Sequence, residues 1–239
     1  MKEKGEILNR LRKQILLLEG FKEPVVTEQT KLGRINEAFP NKAFPFAALH
    51  EFFYYRPEEA AASSAFIAGL LSSCVPNESS IVWVGSSQKI FPPALKWFGL
   101  SPHQVLFLNI KKERDVLWAI QETLKCSSLA AVVGELPEIN LTTSRRFQLA
   151  IEETGVGCFM LRHNPKNLVT TAVSRWHIQP LHSTVEEGFP GIGHPRWQVK
   201  LLKARNGKPG AWNIEWFSGS FRYVSKLAVI HKAAQKQTG

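Results

Sequence analysis

Leu49-His50-Glu51-Phe52-Phe53-Tyr54-Tyr55-Arg56-Pro57-Glu58-Glu59-Ala60-Ala61-Ala62-Ser63-Ser64 is the stretch on which the fold turns. Leu49 to Tyr55 reads as a strand, because it is rich in aromatic residues and free of glycine and proline. Pro57 suits the first turn of a helix, where its missing N–H leaves no bond unmade. Glu58 and Glu59 complement the positive end of that helix. The helix is expected to run through Ala60 to about Leu71.

The same strand-then-helix rhythm continues outward. Ile81 to Gly85 reads as a short buried strand, and Pro92 and Pro93 open a helix ending near Gly99. Val105 to Ile110 is a strand, Glu113 to Lys125 a helix and Leu129 to Glu135 a strand. Thr142 or Thr143 caps a helix that ends before Gly155, and Gly157 to Arg162 is a strand again. Strands alternating with helices imply βαβ units and a mainly parallel sheet.

After His163 the helical periodicity stops. Ser174 to Leu181, Arg196 to Lys203, Ala211 to Phe217 and Ser220 to Val224 read as strands of an antiparallel section extending the sheet. Asn206-Gly207 and Pro209-Gly210 mark a turn between the middle two. Val185 to Pro195 reads as a loop. At the other end, Ile7, Leu11, Ile15 and Leu18 recur at helical spacing over Glu6 to Glu19, and Gly20 and Pro24 set that helix apart. It either packs on its own core or docks on another molecule through those four residues.

Composition narrows the function class. The 239 residues are 44% hydrophobic and 21% charged, an ordinary balance for a folded domain. The net charge is +10, which favours acidic partners, nucleic acid first. From Arg162 onward the acidic residues are only Glu186, Glu187 and Glu215, so the excess lies in the C-terminal third. Cys74, Cys126 and Cys158 are far apart, form no CxxC pair, and read as buried thiols in a reducing cytoplasm. No signal peptide and no apolar run of membrane-spanning length is present. The seven histidines form no HExxH, no G-x-S-x-G occurs, and neither a metal nor a catalytic nucleophile is expected. His50 and Glu51, on a core strand, read as structural.

The stretch quoted first resembles the strand and loop entering the phosphate loop of RecA, whose pattern runs G-P-E-S-S-G-K-T-T. Laid over it, Arg56 stands at the first glycine, Ala61 at the second, Ala62 at the lysine and Ser63 at the magnesium-binding hydroxyl. Glycines let backbone N–H groups curl toward phosphate oxygens, and lysine offsets phosphate charge. Alanine does neither. The hydrophobic strand that would end in a metal-binding aspartate ends in Gly134, with Glu135 one place late and turned by alternation to the other face. The position for a catalytic glutamate reads Gly85-Ser86-Ser87-Gln88. The expectation is a RecA-like α/β core without cofactor and without ATP hydrolysis.

Further blocks resemble the ImuA family of bacterial damage-response proteins. They are Leu32-Gly33 to Glu51, Leu117 to Cys126, Leu129 to Glu135, Thr143 to Ala150, Pro195-Arg196-Trp197 and Gly207 to Trp212. The resemblance implies a non-catalytic accessory of translesion synthesis. It implies RecA, an inactive Y-family polymerase homologue (ImuB) and an alternative replicative-type polymerase as partners. SulA, a cell-division inhibitor that binds a cytoskeletal GTPase, is a similar nucleotide-free relative and gives the alternative reading; a cryptic ATPase is a third. The organisation expected is an N-terminal helix and linker over 1–30, a RecA-like core over 31–182, an antiparallel extension over 183–225 and a basic tail over 226–239.

Two basic stretches are candidate contact surfaces. Arg145-Arg146 opens a helix. Arg196, Lys200, Lys203, Arg205 and Lys208 form a basic hairpin near Trp212 and Trp216, suited to weak, nonspecific DNA binding with the tryptophans stacking on bases. An edge strand guarded by lysine against aggregation explains the same pattern. If the strand is regular, Arg196, Gln198, Lys200 and Leu202 share one face, and Trp197, Val199, Leu201 and Lys203 the other.

Overall fold

The computed structural model describes residues 11, 32–86, 90–166, 168–183 and 193–224. Of the N-terminal anchors, Leu11 is helical and exposed, while Ile7, Ile15 and Leu18 lie outside the described residues, as do the basic tail and most of the loop before Pro195.

A single nine-stranded sheet organises the chain, in the order β3-β2-β4-β5-β1-β6-β7-β8-β9. Its strands are β1 (Leu49–Tyr54), β2 (Ser80–Gly85), β3 (Val105–Asn109), β4 (Leu129–Glu135), β5 (Gly157–His163), β6 (Ser174–Leu181), β7 (Arg196–Ala204), β8 (Gly210–Phe217) and β9 (Ser220–Tyr223). Three α-helices connect the parallel part: α1 (Pro57–Cys74), α2 (Glu113–Leu124) and α3 (Leu141–Thr154). The α/β class, the mainly parallel sheet and the antiparallel C-terminal strands are those expected. The change of direction comes one strand later than expected. β6 pairs parallel to β1, and only β7, β8 and β9 are antiparallel.

Local chemistry accounts for three further differences. Pro92–Phe98 forms a 3-10 segment instead of an α-helix; its two prolines donate no N–H, and Gly99 closes it after seven residues in the left-handed region (φ 82°). Asn140, not Thr142 or Thr143, caps α3, its side-chain oxygen accepting from the Thr143 N–H at 2.8 Å. Cys126, between α2 and β4, is exposed instead of buried.

The two faces of the sheet differ in extent of cover. On the α1 side one apolar cluster runs from Leu95 and Val105, past Phe66, Leu70 and Trp176, to Trp197, Ile214 and Phe221. Phe52 stacks on Trp176 with ring centroids 6.0 Å apart. α1 meets the C-terminal strands through Gly69, where a Cβ would lie 2.8 Å from the Trp216 ring and 3.0 Å from Phe221. On the opposite side, α2 and α3 cover a second cluster, including Val84, Ile120, Phe147 and Met160. That cluster takes in no residue of β6 to β9. The face of the antiparallel strands on that side is polar: His177, Gln179, Gln198, Lys200 and Asn213, with Leu181 and Phe217 toward one end.

Candidate functional site

Open parallel sheets bind ligands beyond the carboxyl ends of their strands, where a strand passes into a helix. Here β1 passes into α1 through Tyr55 and Arg56 alone. Arg56 is extended (φ −128°, ψ 153°) and helix begins at Pro57. The residues that would curl around a phosphate are therefore already helical.

The end of α1 is closed by the chain's own carboxylate. Glu59 is buried and its Oε2 accepts the Tyr55 backbone N–H at 2.9 Å. Oε1 accepts from Arg56 Nε at 3.3 Å and Nη2 at 3.2 Å, and the His177 ring nitrogen Nε2 lies 3.1 Å from Oε2. Burial opposes charge on Glu59, but the Tyr55 N–H, His177 and Arg56 outweigh it and hold the carboxyl at about 2. An incoming phosphate would meet a fixed negative charge where a phosphate loop offers free N–H groups. Ala61 is exposed and Ala62 buried; neither brings charge. Ser63 is fully buried inside α1, and its hydroxyl finds no hydrogen-bond partner.

The strand end at which the sequence reading looks for a metal-binding aspartate is closely packed. Gly134 is buried on the α2 side, where a Cβ would come within 2.5 Å of Ile120 Cδ1 and 2.9 Å of Met160 Sδ. Glu135 alternates to the α1 side and accepts the Trp83 indole N–H at 2.9 Å. It lines a cleft with Tyr54, Ser86, Leu136, Pro137, Leu161 and His163. Tyr54 and His163 approach with ring centroids 5.1 Å apart. Among the described residues, the lining contains no lysine or arginine. Among the described residues, no group of three His, Cys, Asp or Glu side chains is placed to hold a metal ion.

A buried ion network stands across β1, β5 and β6. Glu51 and Arg162 are both fully buried, with Arg162 Nη1 donating to Glu51 Oε1 at 2.6 Å. Arg175 Nε donates to Glu51 Oε2 at 2.9 Å. Both guanidinium groups lie over the Phe53 ring, at 5.5 Å and 5.1 Å from its centroid. Sequence reading placed Glu51 in the core but did not find its partners. The signal available was an arginine inside an otherwise apolar strand, Phe159-Met160-Leu161-Arg162, because a buried charge demands a counter-charge. His50 is structural: Nδ1 lies 2.6 Å from Ser174 Oγ and Nε2 lies 3.0 Å from the Pro45 carbonyl. Burial lowers its pKa to about 4, against the raising effect of the Pro45 and Phe46 backbone.

The basic hairpin is arranged differently from a regular strand. Register slips between β6 and β7, so that Trp176 opposes Leu201 and Arg175 opposes Lys203, leaving Leu202 as the extra residue. Lys203 is thereby moved from the apolar face, where regular alternation put it, to the side of Arg175 and Lys200. Arg196 is held by Glu215, with Nε and Nη2 each 2.8 Å from Oε2. Arg205 donates to the Thr171 carbonyl at 2.6 Å. Lys208 is exposed in the turn. Trp216 is buried, with its indole N–H on the Trp97 carbonyl at 2.7 Å, and Trp212 is half-buried on the core side. The two tryptophans thus belong to the opposite face and offer no stacking platform beside the lysines. Arg145 and Arg146 are exposed on α3.

No family model matches the chain. Two curated relatives do, Protein ImuA from two strains of Caulobacter vibrioides. Each is 30% identical over 223 residues, covering 86% of this chain and 91% of the relative. With identity at that level along nearly the whole length of both, the chain belongs to the ImuA family.

Proposed function

We propose that this chain is a non-catalytic accessory protein of a bacterial translesion-synthesis assembly, acting in the DNA-damage response by binding RecA, polymerase partners or both. Membership of the ImuA family supports the setting. The observation that carries the non-catalytic part is the β1–α1 junction, where Glu59 closes the helix end that a nucleotide would need. A RecA-like core emptied of its nucleotide chemistry keeps the shape of a RecA relative, and shape is what a partner of RecA or of a polymerase homologue such as ImuB reads. The place of action is the cytoplasm, with no helix of the described residues long and apolar enough to cross a membrane.

Two measurements test the reading. Calorimetry with magnesium-ATP is expected to give no dissociation constant below about millimolar, equivalent to about 4 kcal/mol. A micromolar constant would sink the non-catalytic reading in favour of a cryptic ATPase. Affinity capture with purified RecA, and with purified ImuB-type polymerase homologues, is expected to retain at least one of them. Retention of none would remove the assembly role.

A further inference from the structure

The corner where β6 and β7 face away from α1 concentrates positive charge at a cost to the fold. Arg175 and Lys203 stand directly opposite each other across the antiparallel pair. Like charges in that relation destabilise a sheet. Arg205 follows at the end of β7, its backbone N–H on the Val173 carbonyl at 2.8 Å and its guanidinium on the Thr171 carbonyl. Glu51 lies at this corner with one oxygen engaged by Arg162 and one by Arg175, whose Nη2 also donates to the Leu168 carbonyl, and Glu59 stands farther along β6 against His177 and Gln179. Partial burial, and then the charges of Arg175 and Arg205, lower the Lys203 pKa, against the opposing pull of Glu51. The bulge at Leu202 creates the crowding, since without it Lys203 would point into the core side. A device that aligns mutually repelling cations on a face that no described helix covers has a physical reason if an anion completes it.

We propose that Arg175, Lys200, Lys203 and Arg205 form a seat for the phosphate backbone of nucleic acid, bound without reading the bases. The rest of the face favours nucleic acid over an acidic protein segment. Gln179, Gln198 and Asn213 form the next row across the strands beyond Lys200, and amides of this kind commonly contact phosphate oxygens beside Arg and Lys. A protein partner needs a cluster of aromatic or aliphatic side chains to anchor on, and beside the lysines the described residues offer a single exposed leucine, Leu202. The absence of an exposed aromatic platform also removes base stacking, the usual source of preference for single strands. Duplex is therefore the expected ligand, for its density of charge. Arg196, which the sequence groups with these residues, is not part of the seat, because it opposes Leu181 at the other end of β7 and has Glu215 beside it, whereas Arg175 shares Glu51 with Arg162.

The test uses the full chain and a fluorescently labelled mixed-sequence DNA duplex, with anisotropy followed as salt is varied. The slope of log affinity against log salt should fall by about 1.8 in Lys200→Gln/Lys203→Gln, from about 0.9 per phosphate no longer neutralised. Basic residues elsewhere in the chain add to the wild-type slope but not to this difference. Lys200→Arg/Lys203→Arg should keep the slope, and a duplex of scrambled sequence should bind equally. An unchanged slope in the glutamine variant, with its melting temperature at or above that of wild type, overturns the assignment. So does tighter binding of labelled polyglutamate than of duplex, lost in the same variant, which would assign the corner to an acidic protein segment.

Discussion

The two halves of one sheet face teach different lessons about the same chain. Under α2 and α3 the strands point Val82, Val84, Val132, Cys158 and Met160 into a dry layer. A few strands away, on the same side, β6 and β7 present Arg175, His177, Gln179, Gln198 and Lys200. The first half is covered twice, by helices on both sides, as parallel strands joined by crossovers must be. The second is covered once, by α1 and the segments around it, and alternates accordingly. The seam between them is the Glu51–Arg162–Arg175 network, which carries charge from the dry half to the wet one.

The sharpest way to break the contrast is to put the same acidic side chain in each half. Gly134→Asp would restore the aspartate that a metal-binding strand requires, but it would press on Ile120 and Met160. Overpacking costs about 1–3 kcal/mol, and an unpaired buried carboxylate adds several more. The variant is expected to lose more than about 5 kcal/mol and fail to fold, read from urea denaturation or from insoluble expression. Ala211→Asp, exposed on the polar half beside Lys200, is expected to change stability by less than about 1 kcal/mol. A well-folded Gly134→Asp protein would show that the dry half is far more yielding than its packing indicates.

The seam comes next in size. Glu51→Gln removes the nearer counter-charge of the fully buried Arg162, at 2.6 Å, and leaves it with the more distant Glu138, at 3.3 Å. Breaking a buried pair by removing one partner costs about 3–5 kcal/mol. Adding Arg162→Met to Glu51→Gln should recover part of that loss, because the stranded charge goes with it. A double variant less stable than Glu51→Gln alone would mean that Arg162 contributes by packing on Phe53 more than by its charge.

This division of the sheet sets what the sequence could reveal. The covered half was legible because its strands are short apolar runs between helices with recognisable starts, as Pro57-Glu58-Glu59 shows. The helix start at Pro57 was legible too, since proline at the first turn and the acidic pair after it are local signals. The role of Glu59 was not. Its contacts with His177 join residues far apart in the chain, and no local pattern announces them. The face of Lys203 was misread for a related reason. Alternation assigns sides only while register holds, and the slip beside Leu202 is set by the pairing of Arg175 and Trp176 with β7. Trp212 and Trp216 were grouped with the lysines by nearness in sequence, but both tryptophans lie on the core side of the sheet and the lysines on the other.

The smallest expected effect examines the wet half alone. If Arg175 and Lys203 repel across the bulge, removing one charge should help the fold. Lys203→Gln keeps the length and polarity of the side chain and deletes the repulsion, so a gain of about 0.2–1 kcal/mol is expected. The gain should be largest at low ionic strength and fade as salt rises, because this corner is only partly buried and its charges are screened. Lys200→Gln is the internal comparison: it faces His177, whose ring is already drawn to Glu59, and removing the lysine should change stability less. Urea midpoints for both variants at low and high salt read the difference directly. A Lys203→Gln variant less stable than wild type at low salt would show that Lys203 is held by its contact with the strands and not strained by its neighbours, and the charge crowding at this corner would then be no cost to the fold at all.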